Sequence, residues 1–179
     1  MAKKYFGYGF QVKRTKWGLL ALAIFITIIV IIFTNWYSDN RTTINQLGNM
    51  TYKTFFGVNE FESNECNKAY RINYKKNTCG TLCINKINKN NTYLEDLKKS
   101  MEENGFIFYN ISSIKLGNEN WNYLQTNGTD PIMNYYSVNT DKDTYTIEYI
   151  DQTNSVNKNV REKCNKIIND VTDSITLRN

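Results

Sequence analysis

The pattern of apolar and polar positions divides this 179-residue chain into a lipid-like stretch, an unpatterned stretch and a strongly patterned one. Residues 17–36 read WGLLALAIFITIIVIIFTNW, and no charge follows until Asp39. Twenty helical residues at ~1.5 Å each extend roughly 30 Å, the thickness of a bilayer's hydrocarbon core. Trp17 at one end and Trp36 with Tyr37 at the other sit where interfacial aromatics belong. The pattern predicts a transmembrane helix over 17–37, with the lipid bilayer as its partner. The run is too long for the apolar region of a cleaved signal peptide, and no small-x-small site follows it.

Residues 38–63 are polar, with scattered Ile44, Leu47, Tyr52, Phe55 and Phe56, and read as a stalk. Residues 64–90 hold Cys66, Cys79 and Cys83 in a Lys- and Asn-rich segment without a clear period. Beyond residue 90 the pattern sharpens. Thr92 and Glu95 have the spacing of a capping box, and Leu94, Leu97 and Met101 then share one helical face. Asn104-Gly105-Phe106 supplies a stop, with Gly suited to a left-handed cap. Strand-like runs follow over 106–116, 121–125, 132–138 and 144–150, separated by turn-forming Gly, Asn, Asp and Pro. Over 157–176, Val160, Cys164, Ile167, Ile168, Val171 and Ile175 form one apolar stripe of a second helix.

These elements predict an α+β fold: an N-terminal transmembrane helix, then a small antiparallel four-stranded sheet flanked by two helices. The domain order expected is a basic cytoplasmic tail over 1–16, the span over 17–37 and the stalk over 38–63. An extracytoplasmic domain then fills 64–179, its Cys-rich segment over 64–90 and its sheet and helices over 91–179.

Charge changes the picture less than the total suggests. The net charge is +5, but Lys3, Lys4, Lys13, Arg14 and Lys16 precede the span with no acid among them. Beyond residue 16 the chain carries 17 basic residues against 17 acidic ones. A nucleic-acid-binding domain needs its own basic excess to neutralise phosphates, so no nucleic-acid partner is expected. The same five cations predict orientation: the N terminus stays in the cytoplasm and the C-terminal domain lies outside the cell membrane.

The chain has four Cys and no His. Without His there is no Ser-His-Asp or Cys-His nucleophile and no His-ligated zinc. All four Cys (Cys66, Cys79, Cys83 and Cys164) fall on the outer side, where an even number implies structural disulfides. Three pairings are open, and the reading leans to Cys66 with Cys79 and Cys83 with Cys164. The competing reading is a redox pair at Cys79-Gly-Thr-Leu-Cys83, which lacks the two-residue spacing of thioredoxin-like motifs. Asp141-Lys-Asp143 has two of the positions of a calcium loop but not its Gly or its bidentate Glu, and reads as a hairpin turn. Neither a cofactor nor a resident metal is expected.

Aromatic residues are the remaining candidates. Trp121, Tyr123, Tyr135 and Tyr136 fall in predicted strands, and adjacent Tyr135 and Tyr136 must point to opposite faces. One of them therefore leaves the core and can join a partner-binding patch. The function expected is a membrane-anchored, non-enzymatic domain that binds a protein or envelope component. The alternative is a small envelope thiol-disulfide redox factor or another envelope enzyme.

Overall fold

A computed structural model describes residues 8–39 and 41–178 and divides the chain into two units, Met1–Arg41 and Thr42–Asn179. In the first unit, helix α1 runs Tyr8–Asp39. Its segment Trp17–Thr34 has a mean hydropathy of 2.7, and none of it is buried. That makes it long and apolar enough to cross a membrane. Thr27 and Thr34 donate their hydroxyls to the carbonyls of Ala23 and Val30, each at 2.8 Å, so neither exposes an unsatisfied group. Of the basic tail, residues 1–7 lie outside the described residues, and helix already covers residues 8–16.

The second unit corrects the expected fold. Among the described residues it holds ten strands in two antiparallel sheets of three and seven strands, not one sheet of four. The stalk is itself structured, as β1 (Thr43–Leu47), β2 (Met50–Thr54) and β3 (Val58–Phe61). The Cys-rich segment forms β4 (Lys68–Tyr74) and β5 (Asn77–Asn88), which lie inside the large sheet. Helix α2 (Tyr93–Glu102) follows, then β6 (Ser112–Leu116), β7 (Glu119–Gln125), β8 (Ile132–Asn139) and β9 (Asp143–Asp151). Helix α3 (Lys158–Asp173) and β10 (Thr176–Leu177) complete the chain. The large sheet has the order β3-β4-β5-β9-β8-β7-β6, and the small one β1-β2-β10.

Two cores lie on the two faces of the large sheet. On one, α3 buries Cys164, Ile168 and Val171 against Tyr70, Ile72, Leu82 and Ile84, joined by Met50, Tyr52, Ile175 and Leu177 of the small-sheet region. The other is smaller: Leu94 of α2 packs with Phe108, Leu124 and Tyr135. Helix α3 starts on Asn157, whose side chain accepts from the Val160 amide at 3.0 Å, an N-cap bond. The capping box expected at Thr92 does not form. Thr92 instead donates to Asp96 at 2.8 Å, and its own amide donates to Asn90.

The Cys pairing also differs from the sequence lean: Cys66 bonds Cys83, and Cys79 bonds Cys164. A β-bulge explains it. In the β4–β5 ladder Ile72 opposes Gly80 and Asn73 opposes Thr78, leaving Cys79 as the extra residue. Regular alternation would put Cys79 and Cys83 on one face. The bulge turns Cys79 toward α3, while Cys83 stays on the α2 face with Cys66.

Candidate functional site

The β6–β7 hairpin closes through a two-residue turn, Gly117-Asn118, with Leu116 opposite Glu119. Gly117 has φ +58, the conformation required at the first position of a type II′ turn. A Cβ there would also lie 1.6 Å from the Ile175 carbonyl oxygen, so the turn fits beneath the C-terminal segment only as glycine. Asn118 fixes the same contact, accepting from the Leu177 amide at 3.2 Å. Under this cover Trp121 is fully buried, and its Nε1–H has no hydrogen-bond partner among the described residues.

Directly opposed residues of an antiparallel pair share a face. Ile114 opposes Trp121 and Ser112 opposes Tyr123, while Tyr123 opposes Tyr136 and Gln125 opposes Asn134. The edge continues upstream of β6. Phe108 bridges Thr126, and the Tyr109 amide donates to the Gln125 carbonyl at 3.0 Å. Ile107, Tyr109 and Ile114 therefore join Tyr123, Gln125 and Tyr136 on the α3 face, at the end the small sheet does not cover. Ile107 is 63% exposed and Tyr109 51%. Tyr123 and Tyr136 stack with ring centroids 5.0 Å apart, a cross-strand aromatic pair.

Amide chemistry fixes this surface from below. Buried Asn134 accepts from the Tyr123 hydroxyl at 2.8 Å and from Gln125 Nε2 at 2.9 Å. Burial raises the pKa of both Tyr123 and Tyr136, so both hydroxyls stay protonated and uncharged. The result is a neutral patch of aromatic, aliphatic and amide groups. Its chemistry is stacking, apolar contact and hydrogen bonding.

The four aromatics singled out in the sequence separate. Tyr123 and Tyr136 lie in the patch. Trp121 lies on the same face but inside the core, and Tyr135 is buried on the opposite face against Phe108. Ile107, Tyr109, Gln125 and Asn134 were missed by sequence reasoning. The alternation of Ile107 and Tyr109 with Phe108 was a signal available for the first two, since one parity of that run has to leave the core.

Two other groups of polar residues lie away from this patch. On the α2 face, half-buried Glu148 has its carboxyl raised above the ordinary 4.5, chiefly by burial and then by Glu65, with nearby Tyr135 opposing. A raised carboxyl can serve as a general acid; this one lies beside Tyr93 and Tyr135 and opposite Cys83 of the Cys66–Cys83 bridge. The second group is a cleft of about 680 Å³ at the β8–β9 turn, lined by Lys89, Asp141, Lys142, Asp143 and Arg178 among others. Its Asp143 is already paired with Lys86 at 3.0 Å. Among the described residues no group of three or more Cys, Asp or Glu is arranged to hold a metal ion.

The Cys residues sort by exposure. Cys79 and Cys164 are fully buried, and their bridge ties β5 to α3. Cys66 and Cys83 are half-buried, and Asn85 of β5 ties down the 62–67 segment, accepting from the Asn67 amide and donating to the Glu65 carbonyl.

No protein-family model matches the sequence, and neither does any curated protein. Among solved structures, the chain is similar to the solution structure of cyanobacterial PsbP (CyanoP) from Synechocystis sp. PCC 6803. The TM-score is 0.54 at 7% identity, over 76% of this chain and 92% of that one. A crystal structure from Bacteroides thetaiotaomicron VPI-5482 aligns with a TM-score of 0.46 at 14% identity over 79% of this chain. The present chain spans about half, 49%, of that protein's length. The likeness to CyanoP shows a shared fold and transfers no activity.

Proposed function

We propose that this chain is a membrane-anchored extracytoplasmic binding module, non-enzymatic, that holds a protein or envelope partner on the Tyr109–Tyr123–Tyr136 end of its sheet. The carrying observation is that end itself: a neutral aromatic surface left uncovered on a sheet whose remaining α3 face is packed under α3 and the small sheet. Large exposed apolar groups that share one face mark interaction sites. Helix α1 supports the anchor, being apolar, long and unburied over Trp17–Thr34. Two disulfides and no free cysteine among the described residues fit an oxidising compartment. The cations before Trp17 support a cytoplasmic N terminus. A Cys79–Cys83 redox pair is disfavoured, because each residue is held in a different bridge.

The test is crosslinking in intact cells from a photoreactive residue placed at Tyr109, followed by membrane solubilisation and isolation. A discrete partner that is lost in Tyr123→Ala supports the reading; crosslinks to lipid alone defeat it. Reaction of an introduced N-terminal Cys with an impermeant reagent would reverse the proposed topology.

A further inference from the structure

The two edges of the seven-stranded sheet are finished differently. At β3, Glu60 pairs with Lys68 at 2.5 Å, and the Arg71 guanidinium sits over the Phe61 ring at 5.7 Å. Those charges protect an edge from pairing with another chain. At β6 the hairpin phase decides what is free. Leu116 and Glu119 close the two-residue turn as a hydrogen-bonded pair, so Ile114 and Ser112 also direct their backbone groups at β7. The N–H and C=O of Ser113 and Lys115 then point away from the sheet, and neither residue has a partner on that side among the described residues. These free groups repeat every second residue, about 6.8 Å, the repeat of another strand.

Resting on the binding reading above, we propose that β6 receives an extended segment of a partner protein as an eighth strand. The segment sets an acidic side chain beside Lys115 and an aliphatic one against Ile114 and Tyr109. Charge selects this occupant. Lys115 is the sole charge in residues 105–118 and lies on the α2 face, while exposed Ile114 and Tyr109 lie on the other. A complementary strand therefore alternates acidic and aliphatic residues. A second copy of β6 is disfavoured: antiparallel self-pairing about Ile114 would place two Lys115 on one face with no acid to offset them. A short added strand also buries less than a stable soluble dimer needs, so affinity rests on main-chain bonds plus these two side-chain contacts.

The full chain in lipid nanodiscs is titrated with a fluorescent peptide of four Val-Glu repeats and with its Val-Lys counterpart. The Val-Glu peptide should bind at least about tenfold tighter, and Lys115→Glu should reverse that preference. Ser113→Pro removes an outward N–H that the fold does not use, and should weaken binding about tenfold. Should that variant fold poorly, hydrogen exchange on the wild-type chain decides. The Val-Glu peptide should slow exchange at Ser113 and Lys115 and leave Glu60, whose amide faces outward on β3, unchanged. No binding up to about 1 mM, equal binding of both peptides, protection at β3 instead, or a β6-mediated dimer would each overturn strand addition. If Tyr123→Ala abolishes partner crosslinking while Lys115→Glu and Ser113→Pro leave it intact, strand addition fails and the binding module stands. Absence of any protein partner crosslinked from Tyr109 removes the module as well.

Discussion

The two ends of the β6–β7 hairpin carry similar side chains and meet opposite fates. At the turn end, Leu116 and Trp121 are sealed under Ile175 and Leu177. At the open end, Ile107 and Tyr109 are mostly exposed, and Tyr123 and Tyr136 are half-covered. Nothing in the strands themselves separates the two ends. The cover does, and it arrives more than fifty residues later as the end of α3 and β10. Burial on a sheet face is thus a property of what is laid over it, and the exposed surface is the portion left over.

That contrast can be broken from the side of the cover. Cys164→Ser should have the largest effect, because it frees α3 from β5 across a sequence separation of 85. Chain-entropy reasoning gives about 4–5 kcal/mol for a loop of that size, and about 3 for the 17-residue separation of Cys66 and Cys83. Thermal unfolding should therefore show Cys164→Ser melting below Cys66→Ser, and both below an exposed-site control such as Lys166→Ser. A reversed order would show that the half-buried bridge, not the buried one, holds the fold.

The two hairpin ends give the second comparison. Trp121→Ala should cost about 3–5 kcal/mol, as large aromatic truncations in a core do. Tyr109→Ala should stay within roughly 0.5 kcal/mol, being a surface change. Partner crosslinking should rank them the other way. Urea unfolding of both variants, beside the yield of each when the photoreactive residue is placed at exposed Ile107, checks this; equal destabilisation would mean the open end is part of the core.

Gly117→Ala probes the join itself. A left-handed backbone and a Cβ 1.6 Å from the Ile175 oxygen should together cost on the order of 3 kcal/mol. The loss should come with faster hydrogen exchange at Leu177, whose amide bonds Asn118. Unchanged exchange there would separate the turn from the cover.

The smallest effect lies on the other face of the sheet. Because burial raises the Glu148 carboxyl above 4.5, the folded chain keeps its proton into a pH range where the unfolded chain has lost it. Its contribution is full below the unfolded value and is lost as pH rises through the folded one. Glu148→Gln should flatten that part of the stability curve and raise the urea midpoint at neutral pH. A variant that instead lost stability at neutral pH would mean the charged carboxylate is the favoured form.

Some of this was legible in the residues. The run from Trp17 to Thr34 declares an apolar helix without reference to anything else, because each residue's preference for lipid is its own. The amphipathic stripe of α3 and the strand runs after residue 90 are likewise local, set by a period that each segment carries within itself. The first half of the large sheet was not legible. Strand β4 reads KAYRINY, whose alternation spans only Tyr70 to Tyr74, and seven of the twelve residues of β5 are Asn, Thr, Lys or Gly. Tyr70 and Ile72 alternate with Arg71 and Asn73, and Leu82 and Ile84 with Thr81 and Cys83, but these short runs sit among Asn, Lys and Cys and the bulge at Cys79 breaks the period of β5.

The sequence by itself determined an apolar helix, a neutral domain beyond it and four cysteines available for pairing. Tertiary structure alone decided three things. It folded the expected stalk into both sheets, as β1 and β2 of the small one and β3 of the large. It used the bulge at Cys79 to turn that side chain to α3 and so set which cysteines meet. And it laid β10 over one end of a uniform hairpin and left the other open. Local preferences act over a few residues, whereas each of these outcomes joins segments tens of residues apart, where only the closed packing of the whole domain carries the information.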